Sequence, residues 1–259
     1  MDQLFCETLR VLEAALETLE QRVPKPQRKA FKDRFVFRYV EQSAQQAIIQ
    51  KLARVVSGLH AAQSLLERGF VQEQAALQRM LDEFKEDITF LVYALTVDEL
   101  TALHREYLSA FYEEEFDNPD DPIGSTQKRP MVPRRKIRAY IGRVEARLGG
   151  TELNPSRGIE LSRTLSKTYS GFVHAASPQI MDMYQGCPPR FHVSGMLGTP
   201  RIEEHRADLW NYFYRGILSF IFAAKAFGGE ALVASLFRYR DEFERRSGTN
   251  YGAWARGET

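Results

Sequence analysis

The sequence lacks the residues and motifs that define the common metal and nucleotide sites. Only two of its 259 residues are cysteines, Cys6 and Cys187, and neither belongs to a CxxC or Cys/His pattern. Such sparse usage is typical of a reducing compartment and argues against a structural zinc site, so we expect two free thiols. Glu-x-x-His, HExxH, the P-loop and GxGxxG before a helix are also absent. These absences exclude di-iron bundles, zincins and the usual nucleotide folds, and we expect neither a metal nor a cofactor.

The sequence also has no excess charge of one sign and no uninterrupted hydrophobic run. Thirty-five Lys and Arg oppose 34 Asp and Glu, a formal charge of +1, so a preference for nucleic acid or an anionic membrane would need a local patch. The first residues carry acidic side chains and no basic, apolar leader, which disfavours export. The longest apolar run, 209–227, is interrupted by four polar residues and is better explained by a buried helix. We therefore expect a cytoplasmic protein without membrane contact.

The hydrophobic pattern predicts an all-α protein. Apolar residues recur at helical spacing through most of the chain, and 44% of the residues are hydrophobic, enough for a sizeable core. We predict a multi-helix bundle of about seven to nine helices, one of which is long, apolar and central. That helix begins after Thr199-Pro200 and ends at Gly228-Gly229.

Turn and capping residues mark several other boundaries. Ser43 can cap the start of a helix that Gly69 ends, and Thr96–Glu99 has the form of a capping box for another helix. The basic and aromatic segment 28–39 cannot be assigned to a helix or a strand from its sequence. The loop 186–200 is rich in glycine and proline; a packed crossover is the simplest interpretation, with a lid or a partner-binding loop as alternatives.

The best internal boundary is the segment 117–132, where turn-forming residues replace the apolar periodicity. The helices on either side have one-sided apolar faces that need each other. We therefore predict a single helical domain over residues 1–259, which this loop could subdivide. The N-terminal helices would then span 1–116, the C-terminal helices 133–246 and a polar tail 247–259.

A polar stripe runs along one predicted helix of the second half. Arg163, Lys167, Ser170 and His174 are spaced by four, three and four residues, which places them on one helix face. Arg163 could bind an anionic ligand, and His174, which titrates near neutrality, could act as acid or base beside Lys167 and Ser170. The alternative is structural: a partly exposed surface, or a histidine hydrogen-bonded to a neighbouring helix.

A second polar stripe lies on the predicted central helix and comprises Arg201, His205, Asp208, Asn211 and Arg215. Polar groups are costly to bury unpaired, so these residues should face a polar cavity or a compensating network. If the two stripes face each other, they form one pocket. His205 and Asp208 would then join the catalytic candidates, and the two arginines and Asn211 would bind the ligand. Buried structural pairing is the alternative.

Two charged segments have simpler explanations. Arg79, Glu83 and Glu86 share a face of the third predicted helix, and an Arg with a Glu four residues on is usually a surface pair. The carboxylates could also reach the pocket. The acidic segment 113–121 contains a helix-breaking proline, so we expect solvation or weak divalent-cation binding there.

The segment Thr168–Ser177, together with the Arg79/Glu83 helix in a helical bundle, resembles uncharacterised bacterial helical proteins related to the HEPN group. The resemblance covers mainly residues 70–230. HEPN proteins are helical and often dimeric, and many are metal-independent ribonucleases of toxin or phage-defence systems. The resemblance therefore implies a homodimer and a ligand that is RNA or carries phosphate. A non-enzymatic module for dimerisation or protein interaction is the alternative function.

The spacing of the candidate residues departs from the HEPN pattern, in which the catalytic Arg precedes the His with four to six residues between. Arg163 precedes His174 with ten residues between, which separates the two by roughly 16 Å along a helix. Lys167 has the right spacing but supplies a point charge instead of a bidentate donor.

Overall fold

The predicted all-α fold is confirmed by a computed structural model, which describes residues 1–97, 100–118, 120–127, 130–149, 164 and 167–248. The helices in these ranges are α1 (Asp2–Glu20), α2 (Ala44–Glu67), α3 (Val71–Thr96), α4 (Ala102–Tyr112), α5 (Arg134–Gly149), α6 (residues 167–173), α7 (Ser177–Met181), α8 (Arg201–Ala226) and α9 (Glu230–Ser247). Two short antiparallel hairpins accompany them, β1 (Gln27–Phe31) with β2 (Arg34–Arg38) and β3 (Tyr184–Gln185) with β4 (Arg190–Phe191). No helix in the described ranges combines the length and apolarity that crossing a bilayer requires. Cys6 and Cys187 are both free, as predicted.

Local capping chemistry sets the ends of α2, α3 and α4. The Gln46 amide donates to the Ser43 hydroxyl at 3.2 Å, and the Ser43 amide donates to the Gln46 side chain at 3.1 Å, so α2 begins with a reciprocal capping box. The prediction of a helix start at Thr96–Glu99 is wrong. Thr96 ends α3, and its hydroxyl donates to the Val92 carbonyl at 2.9 Å instead of capping a new helix. Thr101 takes the capping position of α4.

The loop 186–200 packs against the turn between α2 and α3. Met196 is 1% exposed, and its amide donates to the Gly69 carbonyl at 2.8 Å. Gly69 has a φ of +79° and Gly195 a φ of +107°, and a Cβ on Gly195 would lie 2.3 Å from the Arg68 carbonyl oxygen. Only glycine allows the two backbones to approach this closely. This part of the loop is the predicted packed crossover.

The centre of the bundle is formed by α2, α3 and α8. Gln74 contacts His205 and Asp82 contacts Tyr212, so α3 and α8 run in the same direction. Apolar residues from both sides of the 117–132 segment belong to one core cluster. α8 is 26 residues long, but its side toward α3 carries polar groups. The prediction of a long apolar central helix is therefore not confirmed.

Candidate functional site

His205, on α8, is paired with a side chain of α3. Its Nδ1 donates to Gln74 Oε1 at 2.9 Å, and the Gln74 amide donates back to the His205 carbonyl at 3.2 Å. Because the amide oxygen only accepts, Nδ1 carries the ring proton. Burial lowers the pKa of His205, and the nearby Asp208 and Glu204 only partly oppose this. His205 is therefore neutral near pH 7 and fixes α3 against α8.

Arg201 and Asn211, two predicted ligand-binding residues, make local contacts. The Arg201 guanidinium forms ion pairs of 2.6 Å with Asp182 and with Glu204. The Asn211 side chain donates to the Ala207 carbonyl one turn earlier, at 3.2 Å. Both residues are partly exposed. In the structure Arg201 is thus engaged by two carboxylates, and Asn211 is hydrogen-bonded within α8.

α6 contacts α8 through two aromatic residues that lie outside the predicted stripe. The Tyr169 hydroxyl donates to Asp208 Oδ2 at 2.9 Å, and burial, with the charge of that carboxylate, raises the pKa of Tyr169. The Phe172 ring meets the His205 ring edge to face, with centroids 6.1 Å apart. Asp208 thus serves as the acceptor of a buried tyrosine proton that stays on the tyrosine.

The predicted polar stripe of α6 lies largely on the solvent side. Lys167 and His174 are exposed and Ser170 is partly exposed. Arg163 lies outside the described residues. The catalytic roles of Lys167, Ser170 and His174, and a pocket shared with α8, stay predictions.

Arg215 is held by Asp82, a carboxylate of α3 that is not among the candidate residues predicted from the sequence. Asp82 is 6% exposed and forms an ion pair with the Arg215 guanidinium. It also accepts a hydrogen bond of 3.0 Å from the Tyr212 hydroxyl. Burial and the nearby carboxylate raise the pKa of Tyr212, so this hydroxyl remains a donor. The arrangement is a buried, charge-assisted network between two parallel helices.

The residues that sequence reasoning missed share one face of α3. Gln74, Gln78, Asp82 and Lys85 are spaced by four, four and three residues, which is helical spacing within the sequence itself. Gln78 is 0% exposed, and its two amide side-chain atoms have no hydrogen-bond partner in the described part of the chain. The predicted pair of Arg79 and Glu83 does form, at 2.8 Å. That pair lies on a neighbouring face of α3, whereas the buried polar face packs against α8.

Lys85 lines a narrow cleft between α2, α3 and α8, whose enclosed space is about the size of one water molecule. It makes no hydrogen bond or ion pair within the ranges that the structure describes. Burial and the positive charge of Arg215 lower the pKa of Lys85 to about 7, against the opposing charges of Asp82, Glu145 and Glu86. The other lining residues are Val55, Leu59, Leu81, Tyr212, Arg215, Gly216 and Ser219.

A second candidate surface is the β1–β2 hairpin, which the sequence did not assign to any element. Strand pairing places Arg28 opposite Phe37 and Ala30 opposite Phe35, so these four residues form one face. Phe35 and Phe37 are 43% and 59% exposed, and their rings meet edge to face at 5.5 Å. The Arg28 guanidinium lies 3.5 Å from the centroid of the Phe35 ring. We call these four residues the aromatic face.

The hairpin is strongly basic and contacts the acidic segment. Residues 25–38 contain six basic side chains and one acidic side chain, Asp33. Lys32 forms an ion pair of 2.7 Å with Asp120, and Arg38 donates to Glu114 at 2.9 Å. Basic residues still outnumber these three carboxylates six to three. The six are Lys25, Arg28, Lys29, Lys32, Arg34 and Arg38.

No family model matches this chain, and comparisons with curated proteins and with solved structures also find no match. Functional assignment therefore depends on the chemistry of the two surfaces described above. One is a basic surface with exposed aromatic rings. The other is a narrow cleft lined by Lys85, for which the described part of the chain supplies no ion-paired carboxylate.

Proposed function

We propose that this protein binds single-stranded nucleic acid through its β1–β2 hairpin. The observation that carries the proposal is the aromatic face, where Phe35 and Phe37 are exposed beside Arg28 on a hairpin dense in basic residues. Unpaired bases stack on exposed aromatic rings, and arginine and lysine neutralise the phosphates between them. The chain as a whole has a charge of only +1, so this hairpin is the local patch that such binding needs.

Charge favours nucleic acid over a hydrophobic protein partner as the occupant. None of the three phenylalanines of the hairpin, Phe31, Phe35 and Phe37, belongs to the core cluster or packs against it. Arg34 also lies over the Phe31 ring, with its guanidinium carbon 5.6 Å from the centroid. Cations therefore border the aromatic rings on both faces of the hairpin. An apolar protein surface would have to desolvate these cations without neutralising them.

Fluorescence anisotropy with labelled oligonucleotides tests the proposal. The probe is an oligouridylate of about 16 nucleotides, long enough for one binding site of this kind. Phe37→Ala should weaken binding by about 5- to 150-fold, because one base–aromatic stack contributes about 1–3 kcal/mol. Lys29→Gln should weaken binding modestly and reduce the slope of log affinity against log salt by about 0.7.

The chain offers a matched control for the aromatic substitution. Phe237 on α9 is 39% exposed and has Arg240 over its ring at 4.8 Å, but it lies outside the basic hairpin. Phe237→Ala should leave affinity unchanged. Equal affinity of wild type and Phe37→Ala, or no binding by wild type at low salt, would overturn the proposal. Loss of self-association in Phe37→Ala, without an effect on nucleic acid, would identify a protein interface instead.

Parallel probes distinguish the sources of the bound strand. Oligouridylate, oligothymidylate and a duplex separate RNA, single-stranded DNA and double-stranded nucleic acid. Binding to the duplex as tight as to the single strands would overturn the stacking argument. A HEPN-like assignment, RNA cleavage by the His174 face of α6 and a homodimer stay predictions. If His174→Ala abolishes RNA cleavage while binding persists, that result would support cleavage by the His174 face.

A further inference from the structure

The acidic segment 113–121 lies beside the basic hairpin and has the opposite charge. It contains six carboxylates and no basic residue. Two of the carboxylates reach the hairpin. Glu114 accepts from the Arg38 guanidinium through both oxygens, at 2.5 and 2.9 Å, and Asp120 lies 2.7 Å from the Lys32 amine. The segment therefore runs antiparallel to β2, from the end of that strand to the turn that precedes it.

Hydrogen bonds within residues 113–127 hold the segment in shape. The Thr126 amide and hydroxyl donate to Asp117 at 3.2 and 2.9 Å, and the Gln127 side chain donates to Glu113 at 2.5 Å. These bonds engage two of the carboxylates inside the loop itself. The loop is thus ordered by its own contacts, so its pairing with the hairpin costs little additional entropy.

The contacts of the segment lie outside the aromatic face. The strand register puts Arg38 on the opposite face of the hairpin, together with Lys29. The hydrogen bond from Arg38, with the charge of Lys29, lowers the pKa of Glu114, so the negative charge of the segment acts on that opposite face. Phe35 and Phe37 stay exposed. The segment thus occupies cations of the hairpin but leaves the rings free for stacking.

A carboxylate and a phosphate compete for the same groups of the hairpin. Both accept two parallel hydrogen bonds from one guanidinium, and both pair with an amine. Arg38 ends β2 and Lys32 lies in the turn, and their long side chains can reach phosphates that pass beside the hairpin. The two side chains are 40% and 42% exposed in their ion pairs. Exposed pairs are weak, so a strand that makes several contacts at once can displace them.

We propose that the acidic segment is an intramolecular competitor of nucleic acid, whose carboxylates occupy two cations of the hairpin until a bound strand displaces them. The inference rests on the proposed function of the hairpin and adds a regulation to it. A single phosphate exchanges one internal contact for one external contact and gains little. A longer strand also gains stacking on the rings, so the segment favours strands over small anions.

Fluorescence anisotropy with the labelled oligouridylate of about 16 nucleotides tests the inference. The double variant Glu114→Gln/Asp120→Asn frees both cations. It should bind about 2- to 30-fold more tightly than wild type at about 150 mM salt, because each exposed pair shifts an equilibrium by about 1.4- to 5-fold. The matched control is Glu115→Gln/Asp121→Asn, which removes two charges from the same segment. Neither of those carboxylates forms an ion pair with the hairpin within the described residues, so the control should gain less than about twofold.

The outcomes separate this inference from the proposed function. Tighter binding by the double variant than by the control supports the competitor. If wild type and the double variant bind equally, or if the control gains as much as the double variant, the competitor is overturned and nucleic-acid binding by the hairpin stands. If none of the three proteins binds, the proposed function fails and the inference fails with it.

A measurement on the wild-type chain covers the case in which the substitutions disturb the loop. The carboxylate ¹³C signal of Glu114 reports its pairing with Arg38 in an NMR spectrum, and Arg38→Gln gives the value for the unpaired carboxylate. Saturating oligouridylate should move the wild-type signal toward that value and should move the Glu115 signal less. A Glu114 signal that stays in place while the strand binds would overturn the competitor.

Discussion

The ion pair of Asp82 with Arg215 predicts that one isosteric substitution will destabilise the whole bundle. Asp82 is 6% exposed and lies between α3 and α8, where it also accepts from the Tyr212 hydroxyl. Asp82→Asn keeps the shape of the side chain and an acceptor for Tyr212. It removes the charge, however, and leaves the Arg215 guanidinium without a counter-ion between two core helices.

The magnitude follows from the burial of the two partners. Removing one partner of a fully buried ion pair costs about 3–5 kcal/mol. The Arg215 side chain retains 24% exposure, so water can solvate part of the unpaired charge, and we expect about 2–3 kcal/mol. For a chain of this size, that loss corresponds to a Tm lower by about 4–12 °C. Tyr212→Phe removes one hydrogen bond and should cost about 1 kcal/mol.

Urea unfolding followed by circular dichroism measures these changes. The double variant Asp82→Asn/Arg215→Met should be more stable than Asp82→Asn alone, because it no longer carries an unpaired buried charge. Arg245→Gln is the control, since its pair with Glu242 is exposed at the end of α9, and it should cause no measurable shift. An Asp82→Asn midpoint equal to that of the control would refute the reasoning. A double variant no more stable than the single one would do the same.

Three further predictions concern His205, the crossover and a helix cap. Burial lowers the pKa of His205 from 6.5. Below about pH 6.5, His205 therefore binds a proton in the unfolded chain but stays neutral in the folded chain. The free energy of unfolding of wild type should therefore fall relative to His205→Gln between about pH 6.5 and 5, and a constant difference would contradict this. Gly195→Ala places a Cβ 2.3 Å from the Arg68 carbonyl oxygen, whereas Gly198→Ala, also at positive φ, meets nothing within 4 Å. Gly195→Ala should therefore lower the Tm more than Gly198→Ala, and equal shifts would refute the close-approach argument. Ser43→Ala should cost about 1 kcal/mol in urea unfolding by removing one half of the α2 capping box, and an unchanged midpoint would count against that role.

Features that depend only on residues close together in the sequence could be predicted from it. Helical periodicity marked the long helices, Ser43 and Gly69 marked the two ends of α2, and the lack of paired cysteine motifs predicted two free thiols. These features depend on hydrogen bonds and backbone angles within a few residues of each other. A competing local hydrogen bond also explains the wrong prediction at Thr96. Its hydroxyl donates to the Val92 carbonyl within α3 instead of capping a new helix.

The tertiary structure alone decided what each helix face contacts. Periodicity placed His205, Asp208 and Arg215 on one face of α8, but it could not show that α3 supplies Gln74 and Asp82 as partners for that face. The path of the loops and the packing of the whole core determine which helices become neighbours, and neither is encoded in a local window. The same holds for Lys85, whose surroundings depend on three helices that meet at one cleft. Likewise, the aromatic face of the hairpin forms only when its two strands pair and bring Arg28 beside Phe35 and Phe37.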